Sequence, residues 1–328
     1  MKIGIIGYRN HSSKIIKLVD QTPSTKEVRV YCRKSLETDK LNKSNKFKKT
    51  KYYSSISDLE GMEAIFITSS SSSHTKYIKY FVKKKKYIFC EKPACTTNSE
   101  VKFLKLLNNN EKSKIFINFN MKESELYKTL KKNLNKQKFG KVIHFHLNAT
   151  HGLAYRKDYI KKILRTKRNL FNYITGNLGI HYVNLLHDLF GDFKNIYIKN
   201  ILPDKNNFIN SCLIHIIFEN NVDATVFLSY GTVYSKNLSV YTDKSLQEFN
   251  NKKFSIFYPR DTFSSKGLFI KPNTIYNKKF KNDFIGDSIN KSVTKFIRTV
   301  KRKKMFSIRE FNKNIYSVEK LINAKILN

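Results

Sequence analysis

The sequence predicts an α/β chain: a doubly wound parallel domain, then an α+β domain with a largely antiparallel sheet. Three observations carry this. At 328 residues the chain exceeds the usual span of one hydrophobic core. Its first third alternates short apolar strand runs with single helical patterns, which gives parallel strands with helices on both faces. Beyond about residue 120, strands are grouped with few helices between them, the mark of antiparallel pairing. The domain boundaries follow as 1–120 and 121–328.

The elements can be taken in order. Lys2 to Gly7 is an apolar run closed by glycine, and Ile15, Ile16 and Val19 mark a helical face after it. Val28 to Cys32 alternates like a strand, and a lysine-rich segment follows. Ala64 to Ile67 and Tyr87 to Cys90 are fully apolar strands, separated by a helix bearing Tyr77, Ile78, Phe81 and Val82. Ser69 to Ser73 falls between strand and helix and reads as a loop. Val101, Leu104 and Leu107 give one more helix, and Ile115 to Ile117 one more strand. This is a Rossmann-like succession. A helix over 123–134 then leads to a strand, Val142 to Leu147, in which His144 and His146 share a face. An apolar helix spans about Gly179 to Phe190. The strands Ile196 to Ile198, Ser211 to Phe218, Ala224 to Tyr230 and Lys253 to Tyr258 follow, and helices over Ser288 to Lys301 and Ile308 to Ile326 close the chain.

Composition narrows the function. The formal charge of +38 would suit a polyanion partner. Its carriers are mostly lysines scattered along the chain, among abundant Asn, Ile, Phe and Tyr and no Trp, a set favoured by A/T-rich codons. Weak, salt-sensitive polyanion binding is expected, and a dedicated nucleic-acid partner is not. Cys32, Cys90, Cys95 and Cys212 form no CxxC pair and no zinc spacing, so a reducing compartment fits and a disulfide framework does not. The absence of an apolar run of about 18 residues argues against a membrane span, and the N-terminus lacks signal-peptide features. A cytoplasmic location is expected.

Gly7-Tyr8-Arg9-Asn10-His11-Ser12 sits between the first strand and first helix, where a dinucleotide phosphate loop belongs. Only the first glycine of a GxGxxG pattern is present, and Arg9 stands where the second would let backbone approach a pyrophosphate. A tight turn with no ligand explains the same residues. Arg9 can equally donate to a phosphate, and Ser12 can cap a helix whose N-terminus favours an anion. After the second strand comes Cys32-Arg33-Lys34-Ser35 in place of the acidic residue that holds a ribose 2′-hydroxyl. Arg33 and Lys34 suit a 2′-phosphate, which tilts the cofactor toward NADP over NAD; an exposed Arg-Lys pair is also ordinary surface in so basic a chain.

Ser69-Ser70 through His74 after one strand, and Cys90-Glu91-Lys92-Pro93-Ala94 after another, resemble the Gfo/Idh/MocA family of glucose–fructose oxidoreductase, inositol dehydrogenase and their relatives. The match extends in order to Asn118-Phe119-Asn120, Phe139-Gly140-Lys141-Val142 and Gly179-Ile180-His181. The resemblance implies an NAD(P)-dependent oxidoreductase with a dinucleotide-binding domain over 1–120 and a substrate-binding, oligomerising domain over 121–328. It implies that Glu-Lys-Pro ends the strand beside the nicotinamide, with Lys92 assisting proton transfer. Cofactor contacts would come from Gly7, Tyr8, Arg9, Asn10, His11, Ser12, Arg33, Lys34, Ser69, Ser70, His74 and Glu91. Independently of family, strand C-termini of an open parallel sheet are where ligands bind, and a desolvated lysine there has a lowered pKa.

His181 is the second catalytic candidate. The family places a carboxylate four residues before this histidine; here the position is Asn177, which can orient an imidazole but not stabilise its cation. Asn184 also replaces a common family aspartate, and His187 reads as a core residue. His151-Gly152-Leu153-Ala154-Tyr155-Arg156, with Tyr159 and Arg165, is similar to family members of polysaccharide and nucleotide-sugar pathways. Aromatics among cations suit a sugar attached to a phosphate, and a solvated basic loop explains them equally. With Asn120, His151, Tyr155 and Arg156 would hold substrate. His144 and His146 lack a third ligand at recognisable spacing, so no metal is expected. The expected activity is hydride transfer between NADP or NAD and a sugar or nucleotide-sugar, in a homo-oligomer. The alternative is a degenerate member that binds nucleotide or sugar without turnover.

Overall fold

A computed structural model describes residues 1–8, 11–157, 173–203, 209–258, 263–270 and 272–327. The chain forms two compact units, Met1–Asn120 with Ser288–Glu319, and Met121–Asp287 with Lys320–Asn328.

The first unit is built on six strands: β1 (Lys2–Ile6), β2 (Glu27–Tyr31), β3 (Thr50–Tyr53), β4 (Ala64–Ile67), β5 (Tyr87–Glu91) and β6 (Ile115–Asn118). They run parallel in the order β3-β2-β1-β4-β5-β6. That order reverses between β1 and β4, and a doubly wound sheet binds ligands beyond the strand ends at such a point. The connecting helices are α1 (His11–Gln21), α2 (Ser35–Lys43), α3 (His74–Lys83), α4 (Asn98–Leu106) and the short α5 (Asn109–Lys112). Ile15, Ile16 and Val19 of α1 pack on Ile3, Ile5, Val28, Val30 and Phe66. The lysine-rich segment contains α2 and β3, which were not expected. Of α2 only Thr38 is buried, so its sequence carries no apolar stripe.

The second unit begins at α6 (Glu125–Leu134), capped by the Ser124 hydroxyl accepting from the Tyr127 amide. Its sheet comprises β7 (Val142–Thr150), β8 (Phe193–Pro203), β9 (Ile209–Phe218), β10 (Asp223–Ser229), β11 (Ser235–Thr242), β12 (Leu246–Asn250), β13 (Lys253–Phe257), β14 (Thr274–Lys279) and β15 (Lys325–Leu327). Among the described residues the order is β14-β13-β12-β11-β7-β10-β9-β8-β15. Pairing is antiparallel except where β10 meets β7 and β15 meets β8. The inner face carries Phe145, Leu147, Ile214, Ile216, Val226 and Leu228, all buried. Against it lies α7 (Ile180–Phe190), whose Phe190 ring centroid is 5.4 Å from that of Phe218 and 5.8 Å from that of Phe145.

Two expectations about the chain's end need correction. The helix α8 (Ser288–Lys301) and most of α9 (Ile308–Ile322) belong to the first unit, not to a domain running from 121 to the end. Val293, Phe296, Ile297 and Val300 of α8 cover the same sheet face as α1, and which sheet an amphipathic helix covers is not written in its periodicity. The last helix stops at Ile322, and Ile326 lies in β15, paired with Ile198. β7, β8 and β9 run longer than expected, β10 is shifted by one residue, β13 ends one residue earlier, and β11, β12 and β14 were missed. β14 is an edge strand with almost every residue exposed, so it shows no alternation. All four cysteines are buried and free.

The Phe296 ring stacks on Phe306 at 5.3 Å and meets Phe66 edge-on at 5.0 Å. We therefore expect Phe296→Ala to cost about 3–5 kcal/mol in urea unfolding. A loss under about 1 kcal/mol, the range of a site that is not a packed core, would contradict this placement of α8.

Candidate active site

Three strand ends of the first unit converge on one edge. After β1, Gly7 takes φ +109°, which side chains rarely adopt, and a Cβ there would meet the Thr68 carbonyl oxygen at 3.0 Å and the Ser69 nitrogen at 3.1 Å. This glycine lets the β1 and β4 loops approach. Ser12 does not cap α1, which already begins at His11; its buried hydroxyl donates to the Thr68 carbonyl at 2.9 Å and ties the loops together. The Tyr8 hydroxyl donates to Glu37 on α2. Arg33 and Lys34 follow β2 in exposed positions. The Ser69 and Ser73 hydroxyls lie 2.8 Å apart in the loop after β4, and Ser70 precedes its first turn.

Two neighbouring side chains hold the end of β5. His74 is buried, with Nδ1 2.7 Å from the Pro93 carbonyl oxygen and Nε2 3.0 Å from that of Ser69. Burial depresses its pKa despite both carbonyls, so the neutral ring donates from one nitrogen. Both nitrogens thus face backbone of the β4 and β5 loops, which makes His74 a clamp on the Lys92-Pro93 turn. Glu91 accepts from Asn118 Nδ2 at 2.7 Å and from His11 Nε2 at 3.1 Å. Burial alone would raise its pKa, but His11, Asn118 and Lys92 together hold it below the usual carboxylate value. The Ser292 hydroxyl of α8 donates to Asn118 Oδ1 at 2.7 Å, and Asn120 Nδ2 donates to the Ser288 hydroxyl at 2.6 Å. Next in the chain, burial lowers the Lys92 pKa to about 8 against the opposing pull of Glu91.

The second unit gathers a polar group at one end of its sheet. Thr175–Gly179 forms a π-helical turn that runs directly into α7, so Asn177 is not on a regular α-helix as its four-residue spacing from His181 suggested. Such turns often mark functional sites. A Cβ on Gly179 would meet Ile214 Cδ1 at 2.8 Å, so glycine lets the turn lie on the sheet without displacing that side chain. Asn177 Nδ2 donates to the Tyr230 hydroxyl at 3.3 Å, and the Tyr230 and His151 ring centroids are 4.6 Å apart. Burial, then the Lys236 charge, lowers the His151 pKa. The Tyr155 hydroxyl donates to the Gly231 carbonyl at 2.9 Å, and Arg156 is exposed. His181 occupies the first turn of α7.

Residues 1–119 match a family profile described as an oxidoreductase family with an NAD-binding Rossmann fold, and residues 127–246 match the GFO/IDH/MocA C-terminal domain. The chain belongs to the Gfo/Idh/MocA family. No curated protein matches it significantly in sequence. Solved structures resemble it over nearly their full length. A myo-inositol dehydrogenase from Corynebacterium glutamicum aligns with TM-score 0.73 at 15% identity, covering 98% of this chain and 94% of that one. A 3-ketoreductase from Actinomadura kijaniata, solved with TDP-benzene and NADP, gives 0.74 at 11% identity over 100% and 98%. An Agrobacterium radiobacter oxidoreductase, solved with NAD+, L-tartaric acid and magnesium, gives 0.74 at 12% over 99% and 95%. At these identities the likeness concerns the fold.

As a Gfo/Idh/MocA member the chain carries an NAD-binding Rossmann unit, and Gly7 with the α1 N-terminus fits a nicotinamide dinucleotide. Arg9, Asn10, Tyr159 and Arg165 lie outside the described residues. His187 is buried, with Nε2 3.0 Å from Asp192 Oδ1. His144 and His146 flank Thr225 on the outer sheet face. No group of three or more His, Cys, Asp or Glu among the described residues could hold a metal ion. No described helix is long and apolar enough to cross a membrane. Sequence reasoning missed Asn118 as the partner of Glu91, Ser292 behind it, and Tyr230 beside Asn177. Asn118 was within reach, since it lies in the Asn118-Phe119-Asn120 motif; Ser292 and Tyr230 carry no local signal.

Removing the Asn118 amide leaves a buried carboxylate short of a donor. Asn118→Ala should cost about 1–3 kcal/mol near neutral pH. Because Glu91 has a depressed pKa, the stability it contributes is present above its unfolded value and lost as pH falls through the folded one. The deficit of the variant should therefore shrink in acid, read by denaturation at pH 7 and pH 4.

Proposed function

We propose that the protein transfers a hydride between NADP or NAD and a ring carbon of a sugar or nucleotide-linked sugar. The observation that carries this reading is Lys92, an ammonium desolvated at the end of β5 whose pKa falls to about 8 beside the buried Glu91. A general base or acid works best with a pKa near the working pH, and an ordinary surface lysine lies too high. When bound, the nicotinamide ring supplies the hydride acceptor in oxidation and the donor in reduction. In oxidation, neutral Lys92 or His181 takes the hydroxyl proton as the C–H electron pair leaves, and the carbinol becomes a carbonyl. Asn177 orients His181, while Asn120, His151, Tyr155 and Arg156 hold the substrate; Asn120 does so from an amide already anchored on Ser288. The loop cations suit a phosphate carried by the sugar. The oligomer would form on the outer face of the second sheet, where Tyr241 lies beside His144.

Oxidation needs Lys92 deprotonated, so its rate should rise through pH about 8. Glu91 raises the Lys92 pKa, so Glu91→Gln should move this limb to lower pH. His181→Gln should reduce turnover by about 10²–10⁴ with cofactor binding intact. Nicotinamide absorbance across a panel of sugars and nucleotide-sugars reads all three. Cofactor and sugar binding without turnover anywhere in the panel would overturn the proposal.

Arg33 and Lys34, exposed after β2, would face the adenosine ribose phosphate. NADPH should then bind more tightly than NADH in fluorescence titrations, and the Arg33→Ala, Lys34→Ala double variant should erase the difference. Equal affinities in the wild type would return the pair to ordinary surface.

A further inference from the structure

A pocket of about 290 Å³ opens within the second unit, lined by Tyr234, Ser235, Lys236, Phe249, Asn250, Asn251, Lys252 and Asp283. Its interior and its rim differ in chemistry. Asn250, Asn251 and Lys252 form an exposed rim where β12 turns toward β13. Inside, Phe249 is 2% exposed and gives an apolar wall. Lys236 Nζ lies 2.8 Å from Asp283 Oδ2, with the two side chains only 9% and 17% exposed. The Tyr234 hydroxyl donates to the same oxygen at 3.2 Å, and the Ile285 amide donates to Asp283 Oδ1 at 2.7 Å. Burial would raise the Asp283 pKa, and Lys236, with the Ile285 amide and the Tyr234 hydroxyl, overrides it and holds the carboxyl below its usual value.

A desolvated ion pair contributes little net stability, and a well-packed apolar pair of the same volume does as well or better. Its position on a pocket wall therefore calls for a use. The pair presents an ammonium with further N–H donors beside a carboxylate with further lone pairs, and its net charge is zero. A phosphate entering there would meet the Asp283 carboxylate, and a free amine would meet Lys236. Two adjacent hydroxyls satisfy both, since each is donor and acceptor, while a ring's C–H face can rest on Phe249. The volume sits at the small end of the ligand-pocket range, suited to a single ring. Lys236 on β11 pairs with Ala149 on β7, two residues before His151, so the pocket adjoins the His151–Tyr230–Asn177 group along the sheet.

We propose that Lys236 and Asp283 form a subsite for an uncharged ring bearing vicinal hydroxyls, the part of the substrate that carries no phosphate. This deepens the oxidoreductase reading and rests on it for the word substrate, but the binding stands alone. Full-length protein is titrated by calorimetry with a panel of cyclitols and methyl hexopyranosides, and with inorganic phosphate. At least one neutral polyol should bind saturably. Asp283→Asn and Lys236→Met should each weaken it roughly 10- to 100-fold. Phosphate should not compete. The exposed-rim double variant Asn250→Ala, Asn251→Ala should weaken it less, and it keeps the test open if either buried variant fails to fold. NADPH affinity, read in parallel, should be unchanged in every folded variant. No polyol binding, binding indifferent to all these substitutions, or competition by phosphate would overturn the subsite. Cofactor binding without polyol binding sinks the pocket alone. Pair-dependent polyol binding with no hydride transfer sinks the oxidoreductase reading and keeps the pocket.

Discussion

The candidate chemistry depends on keeping one buried carboxylate charged. Glu91 closes a strand that is apolar on both faces, where an unpaired carboxylate would be protonated or expelled. Asn118 and His11 supply hydrogen bonds from either side, one from the neighbouring strand and one from the first turn of α1. The charged carboxylate in turn supports the Lys92 ammonium, whose pKa burial has already drawn down to about 8. Were Glu91 neutral, burial would act on Lys92 without that opposition and its pKa would fall further.

The same constraint explains why the end of the chain returns to the first unit. α8 buries Val293, Phe296, Ile297 and Val300 against the parallel sheet, and its two serines reach Asn118 at the end of β6 and Asn120 just beyond it. Packing and polar satisfaction thus converge on one helix. The apolar stripe fixes its position, and Ser292 fixes the orientation of the amide that holds Glu91. A residue 174 positions away in sequence therefore sets the geometry of a site formed near residue 91.

In the second unit the organising constraint is close approach of a helix to a sheet. Gly179 permits the π-helical turn to lie on Ile214 and Leu228, and that turn presents Asn177 to Tyr230. From there the polar groups run to His151 by ring contact, and Lys236, paired with Asp283, lies on β11 beside the end of β7. At the polar end of an otherwise apolar inner face, the buried Lys236 ammonium is matched by Asp283.

Sequence alone determined the alternation of apolar strands and amphipathic helices, hence the doubly wound first unit, because burial on both faces leaves an unbroken apolar run. It also marked Gly7, Glu91 and Lys92, since each sits at a strand end where its residue type has few structural uses. Exposed elements were illegible: α2, β14 and β15 bury too little to imprint a period. The polar atoms of Ser12 and His74 hold backbone carbonyls of neighbouring loops, contacts that no local pattern announces. Only the tertiary structure decided that α8 covers the first sheet, that Ser292 stands behind Asn118, and that Lys236 meets Asp283. Those are pairings between distant segments, set by which surfaces fit and which charges must be matched, and local periodicity carries no record of either.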